Sequence, residues 1–315
     1  MPEPVAAATL DIPGRVRELF TYHFMVNALA AGTAVAVMAA IVGWFVVVRR
    51  QVFAGHTLSL VAFPGAAGAA LAGLPAASGY YAACGLGAVA LAPASRSGPS
   101  RGAETAAIGT VQAFALGCGF LFASLYHGLL GGVAALLFGS FVGIDDGQVL
   151  TLFAVAALAI ALIGIAGRPL LFASLDPEGA AAAGVPVRAL GAAFLLLLAL
   201  AVAATAQITG ALLVFTLLVT PAATAQALTS RPVAGMLVAV ALALIVTWLG
   251  LAFAYFSPWP VGFWITSLSF GFFVLARVWR ARRARSACGT SPTRRLMLPP
   301  GPPKRRRRRT REGGA

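Results

Sequence analysis

Nine stretches of this 315-residue chain are apolar for about the length that crosses a bilayer, and almost no charge interrupts them. A hydrocarbon core of ~30 Å takes about 20 residues of helix. Windows that meet the rule, or nearly so, are 23–48, 52–73, 76–93, 104–125, 149–167, 188–207, 211–229, 232–256 and 261–279. Inside lipid each segment must satisfy its own backbone polar groups, which an α-helix does without help. The expected fold is therefore all-α: a polytopic helical membrane protein with about nine transmembrane helices. Residues 129–143 are apolar but too short to cross, and read as a partial or re-entrant helix; eight passes plus this piece is the alternative count. Composition agrees. Hydrophobic residues make up 60% and charged residues 10%, against about 25% charged in soluble domains. That excludes a soluble enzyme, a disordered chain and a disulfide-built secreted domain.

The charges that remain are arranged by side. Arg49 and Arg50 close the first window, and Arg96 and Arg101 lie between the third and fourth. Arg168 and Arg188 bracket the loop after the fifth, and Arg231 precedes the eighth. Nine alternating passes put all of them on one side, while the opposite connections hold Asp145 and Asp146. Under the positive-inside rule the C-terminus is expected in the cytoplasm and the N-terminus outside. Residues 1–22 are mixed in charge, and the apolar run after them is too long for a signal peptide, so the first span reads as an uncleaved anchor. The formal charge of +14 belongs to the tail: from Arg277 onward there are fourteen Lys/Arg and one acid, whereas residues 1–276 hold nine and eight. The domain reading is 1–22 as an extracytoplasmic segment, 23–280 as the transmembrane body and 281–315 as a disordered basic tail. The tail is read as a solvated, topology-fixing extension with no specific nucleic-acid partner, only its first arginines sitting at the lipid surface. Cys84, Cys118 and Cys288 read as unpaired thiols. Small-xxx-small spacings at Gly32/Ala36, Gly65/Ala69, Gly68/Ala72 and Gly139/Gly143 suit close helix packing in lipid.

What the body lacks narrows the chemistry. The chain's one lysine, Lys304, is in the tail, so no phosphate-binding loop with its obligatory lysine exists in the body. The spans carry almost no carboxylates of the kind that relay protons or cations, and no paired acids, metal triad or Ser/His set for an intramembrane enzyme. These absences favour a pore-forming subunit without its own nucleotide-hydrolysing site, driven by a separate protein. A self-contained secondary transporter or efflux protein for a small solute is the alternative. The loop RPLLFASLDPEGAAAAGVPVR, residues 168–188, fits the first reading. Asp176 is placed to cap a short helix opened by Pro177, with Glu178 in its first turn and Gly184 at its end.

Four stretches carry a resemblance to a known family. They are VVVRRQVFAGHTLSLVAFPGAAG at 46–68, ETAAIG…LLFGSFVG at 104–143, SLDPEGAAAAGVPVR at 174–188 and AQITGALLVFTLLVTPAATA at 206–225. In this order they resemble the permease subunits of metal-ion ABC transporters, which take up zinc, manganese or iron. The resemblance runs from about residue 22 to 280. It implies a plasma (inner) membrane location and a homodimer or pair of permease subunits. It also implies a cytoplasmic ABC ATPase that uses ATP, and an extracytoplasmic metal-binding protein that delivers the ion; the chain itself would hold no cofactor. Carried over residue by residue, Asp176, Glu178 and Gly184 mark the ATPase contact. Pro221, which removes a backbone donor from its helix, marks a gate. The family often sets an aspartate and a histidine four apart on the second span, on one helix face. Here those positions are His56 and Leu60. The imidazole of His56 is then the candidate metal ligand, suited to zinc and its neighbours, with Thr57 and Ser59 beside it in the pathway. In a dimer two His56 side chains would face each other. Zinc or manganese is the expected cargo. His23, Asn27, Gln112, His127 and Gln207 are read as hydrogen-bonding residues of the bundle.

Overall fold

The computed structural model describes residues 20–94, 101–125, 136–141 and 143–288, and within them the side chains other than those of 93–94, 101–107 and 284–288. Among the described residues there are ten helices of six residues or more and no strand: α1 (His23–Val48), α2 (Val52–Leu71), α3 (Ala76–Ala94), α4 (Arg101–Leu125), α5 (Asp146–Leu175), α6 (Pro177–Ala182), α7 (Val187–Thr209), α8 (Val214–Leu228), α9 (Pro232–Tyr255) and α10 (Val261–Cys288). Seven are long and apolar enough to cross a membrane, and α3 and α8 are shorter apolar helices. The chain is a polytopic helical membrane protein, and each of the nine apolar windows carries a helix.

Side-chain contacts fix the helix directions. At the two ends of α1 and α5, His23 meets Asp146 and Arg49 meets Ser174, so these helices run parallel. Helix α2 is parallel to α4, with Thr57 against Gln112 and Phe63 against Phe120. It is antiparallel to α3, with Leu58 near Cys84 and Gly65 against Gly79. Helix α1 is antiparallel to α9, through Thr33 with Trp248 and Trp44 with Gly235. Both α7 and α9 start at the Arg49 end of α1, so α8, though short, carries the chain back between them. This alternation is what nine consecutive passes require. One end of the bundle collects Arg49, Arg50, Arg188 and Arg231; the other holds Asp145 and Asp146.

Burial sorts the helices. Sixteen of the 26 residues of α1 are buried, and α7 is buried over most of its second half. These two form the centre. The perimeter helices keep large apolar side chains exposed, among them Phe114, Leu150, Ile165, Val233 and Phe270. A helix that is apolar all round is stable only in a core or in lipid, and this chain uses both. The four anticipated small-residue pairs divide. Gly32, Gly65 and Gly68 pack against α9, α3 and α4. Gly139 and Gly143 do not lie on a helix face: their φ values of +80° and +91° place both in turns.

Two boundaries depart from the sequence reading. Residues 168–175, read as loop, continue α5 through Arg168 and Pro169 to Leu175. Proline costs one backbone bond in a helix interior, and here the helix continues past it. Helix α10 runs on to Cys288, eight residues beyond the apolar body. The putting of 129–143 in a re-entrant piece concerns residues mostly outside those described; 136–138 form one helical turn. In the last turns of α10, Arg283 lies over the Trp279 ring at 3.8 Å.

The α1–α2 turn carries a cost. Gln51 N–H donates to Val46 O at 2.9 Å and Arg50 N–H to Val47 O at 3.1 Å, the paired bonds of a Schellman ending. The residue at the left-handed position of such an ending is usually glycine, yet here it is Arg50 at φ +57°. Arg50→Gly is expected to stabilise the protein by about 0.5–1 kcal/mol, the left-handed penalty less the added freedom of the unfolded chain. Thermal unfolding in detergent measures it; an unchanged or lower midpoint shows that the arginine side chain compensates.

Candidate functional site

The second helix presents its polar residues on different faces. His56 is half-buried with its ring edge-on to Phe215 of α8, 5.1 Å between centroids. Its Nδ1 is buried and has no hydrogen-bond partner among the described residues. Leaving a buried polar atom unpaired costs free energy, so this nitrogen is a free donor or acceptor aimed into the protein. Thr57 lies a quarter-turn away and faces α4: its hydroxyl donates to Phe53 O at 2.9 Å and accepts from Gln112 Nε2 at 2.7 Å. Ser59 is buried and donates to His56 O at 2.8 Å. The three residues grouped on the sequence are thus not one constellation. Leu60 follows His56 by four positions and offers no ligand. A cavity of about 470 Å³ between α2, α3 and α4 is lined by Thr57, Val61, Leu86, Val111, Phe114 and Cys118 among others. The Thr57 oxygen is already bonded there, so the cavity is an apolar one. Among the described residues no three His, Cys, Asp or Glu side chains gather. Pro221 is buried in α8, two turns beyond Phe215.

At the arginine-bearing end, the chain builds a small external element. Asp176 ends α5 and starts α6; its carboxylate accepts from Gly179 N–H at 2.9 Å, and Pro177 supplies the first helical residue. The far end closes through Val185 N–H to Ala180 O and Gly184 N–H to Ala181 O, both 3.0 Å, with Gly184 at φ +84°. Of α6 only Ala180 is buried; Asp176, Pro177 and Glu178 are exposed. A helix of one and a half turns is not stable by propagation alone. This one is fixed by its two caps and by the ends of α5 and α7.

Beside it sits a cation that makes no ion pair with a described carboxylate. The Arg49 guanidinium lies 5.2 Å from the Phe194 ring centroid on α7 and donates from Nη1 to Ser174 Oγ on α5 at 3.1 Å. Its Nε reaches Gln51 Oε1 at 3.4 Å. Burial lowers the Arg49 pKa from its ordinary value, which leaves an arginine charged.

The sequence model of the ABC 3 transport family matches residues 21–280, every helix from α1 to α9 and most of α10 included. The chain belongs to the ABC 3 transport family. Among its relatives, the manganese transport system membrane protein MntC of Halalkalibacterium halodurans is 29% identical over 286 residues, 87% of this chain and 97% of that one. A probable iron transport system membrane protein of Haemophilus influenzae is 29% identical over 276 residues, 85% and 98% of the two chains. The structure of PsaBC from Streptococcus pneumoniae in complex with Fab superposes with a TM-score of 0.75 at 27% identity, covering 84% of this chain and 95% of that one.

Several features of this ABC 3 chain are visible only in three dimensions. His23, Asn27 and Asp146 converge at the acidic end: Asp146 Oδ1 is 3.0 Å from His23 Nε2 and accepts from Asn27 Nδ2 at 2.8 Å. The same amide donates to Ile144 O at 3.0 Å. Asp146 lies more than a hundred residues from the other two, so no spacing rule on the sequence brings it to them. Phe215, the ring against His56, reads on the sequence as one apolar residue among many. Gln112 and Gln207 are hydrogen-bonded within the bundle. His127 lies outside the described residues.

Proposed function

We propose that this chain is the permease subunit of an ABC importer, forming the translocation pathway for a divalent transition-metal ion and driven by a separate cytoplasmic ATPase. The observation that carries this reading is α6: an exposed, doubly capped helix held out from the arginine-bearing end of a bundle whose body has no lysine for a nucleotide loop. Such an element adds nothing to packing within the bilayer, and it suits a partner that pushes. The names of the relatives, manganese and iron transport proteins, support a metal cargo. His56 supports an ion that accepts imidazole, since zinc and iron take nitrogen more readily than manganese does. One imidazole per chain holds a metal weakly; a pair of subunits with His56 of each facing the pathway would supply two. Zinc, which the imidazole favours, and manganese, which the relatives' names support, are the first cargoes to test. An extracytoplasmic metal-binding protein would deliver the ion to the end that carries Asp145 and Asp146, and the arginine-bearing end would face the cytoplasm of a plasma-membrane protein. Pro221 is assigned to the gate and Asp176, Glu178 and Gly184 to the ATPase contact; Thr57, facing α4, and Ser59, bonded to its own helix, support the helix that carries His56 without sharing its face.

The test is reconstitution. The purified chain with its ATPase in proteoliposomes is expected to accumulate radioactive zinc or manganese only when ATP and the metal-loaded binding protein are supplied. Asp176→Lys with Glu178→Lys should abolish co-purification of the ATPase. His56→Ala should leave the complex assembled and cut uptake about ten-fold or more, the loss of a metal ligand's contribution. Uptake by the chain alone, driven by an ion gradient, would replace this reading with a secondary transporter.

A further inference from the structure

Arg49 is built into a junction that no part of the foregoing uses. Its side chain leaves the end of α1 and touches both helices that flank α6. Ser174 is the second-last residue of α5, and its hydroxyl in turn donates to Leu170 O. Phe194 is on the first half of α7, and Nη2 lies beside Gly191, one turn earlier. Arg49 also reaches forward to Gln51, whose carbonyl accepts the N–H of Gly55 at 3.1 Å in the first turn of α2. His56 is the next residue. The guanidinium therefore ties the α5–α6–α7 segment to the turn from which α2 emerges. A rigid planar cation with several donors is suited to spanning these partners together.

The surroundings favour a strut over an ornament. The cation has no described carboxylate partner, so its position is set by a ring face, a hydroxyl, an amide oxygen and the carbonyl end of α5, where a helix dipole favours positive charge. Exposed ion pairs swing and re-form cheaply; a half-buried guanidinium on an aromatic face does not. The turn beyond it has little slack. Three residues join α1 to α2, one of them is Arg50 in the left-handed region, and both paired bonds of the Schellman ending are made.

We propose that Arg49 is the positioning residue through which displacement of the α5–α6–α7 segment reaches the α1–α2 turn and the helix that carries His56. The proposal rests on the reading that an ATPase docks at α6. A push on α6 moves the ends of α5 and α7, and these carry Ser174 and Phe194. Arg49 follows them, and the short turn passes the movement to α2. Without the guanidinium the two groups of helices still pack, but the movement of one is no longer imposed on the other.

The experiment compares the full complex bearing wild-type, Arg49→Lys or Arg49→Ala permease in proteoliposomes, with ATP hydrolysis and metal uptake measured on the same vesicles. Arg49→Ala is expected to retain the bound ATPase and most of its hydrolysis while the metal moved per ATP falls about ten-fold, the scale of a coupling free energy between two sites. Arg49→Lys keeps the charge without the fork, and should recover part of the ratio. A ratio unchanged in Arg49→Ala, or hydrolysis and uptake falling in step, overturns the proposal. If the wild-type complex shows no ATP-driven uptake at all, it is the docking reading that has failed. The junction is then judged in the chain alone by hydrogen exchange at the Gly55 amide. Arg49→Ala and Ser174→Ala should each speed exchange there, and their combination should add little to either, as expected of two residues in one contact. Additive effects, or none, overturn the strut. Ser174→Ala also serves in the transport assay if Arg49→Ala does not fold.

Discussion

Gly43→Ala is expected to abolish recovery of folded protein. A methyl group at residue 43 would fall on the backbone carbonyl of Leu218, where α1 and α8 touch main chain to main chain. Ordinary overpacking costs about 1–3 kcal/mol because side chains shift to make room. A carbonyl inside a helix has no rotamer to change, so the helices must separate. Leu218 is also the residue that packs on Gly55 of α2, and the separation would spread into the group around His56. The expected loss exceeds about 4 kcal/mol, the exceptional range for a single substitution. Size-exclusion chromatography of the detergent extract should show aggregate in place of the monodisperse peak. Gly164→Ala, with open space at the same atom, is the control and should match wild type. A monodisperse Gly43→Ala protein with an unchanged melting point would show that α1 and α8 do not approach so closely.

The second large effect is expected at the α7–α8 turn. Gly210 has φ +72° and ψ 159°, a region that is essentially glycine's alone. Its neighbours add to the demand: a Cβ there would strike the amide nitrogen of Gly139 and the carbonyl of Leu137. Across the same contact Ala211 N–H donates to Leu136 O at 3.2 Å and Leu212 N–H to Leu137 O at 3.1 Å, and Tyr80 Oη donates to Leu136 O at 3.0 Å. Gly210→Ala thus combines backbone strain with the loss of at least two backbone bonds, about 3 kcal/mol or more together. Hydrogen exchange should rise selectively at Ala211 and Leu212 before global unfolding. Wild-type protection at those amides in the variant would refute the account.

Much of the architecture could be read from the chain because lipid imposes one rule on every segment. Nine apolar windows carry nine helices, and the arginine pattern matches the alternation seen in the α1–α5 and α1–α9 contacts. The α6 helix was legible to the residue, since Asp176, Pro177 and Gly184 act through local backbone geometry that needs no tertiary partner. The misread boundary at Arg168–Pro169 has the opposite origin: a charged residue and a proline look like a stop, yet α5 continues across both. Gly139 and Gly143 misled for a similar reason, because spacing alone does not tell a helix face from two turns. The polar residues of α2 were found by type but not by direction. The sequence shows that His56, Thr57 and Ser59 are adjacent; only packing reveals that one meets Phe215, one meets Gln112 and one bonds its own helix. Arg49 was read as a marker of sidedness, and nothing in its neighbours announces Ser174 or Phe194, more than a hundred residues away.

The two caps of α6 have a consequence for how anything could grip it. A segment that becomes helical only on contact spends part of the interaction energy on its own ordering, and yields when load is applied. Here Asp176 and Gly184 have already settled the backbone, so a partner meets a finished knob and loses little entropy in seating it. Force delivered there goes into moving whole helices, with no slack to take up first.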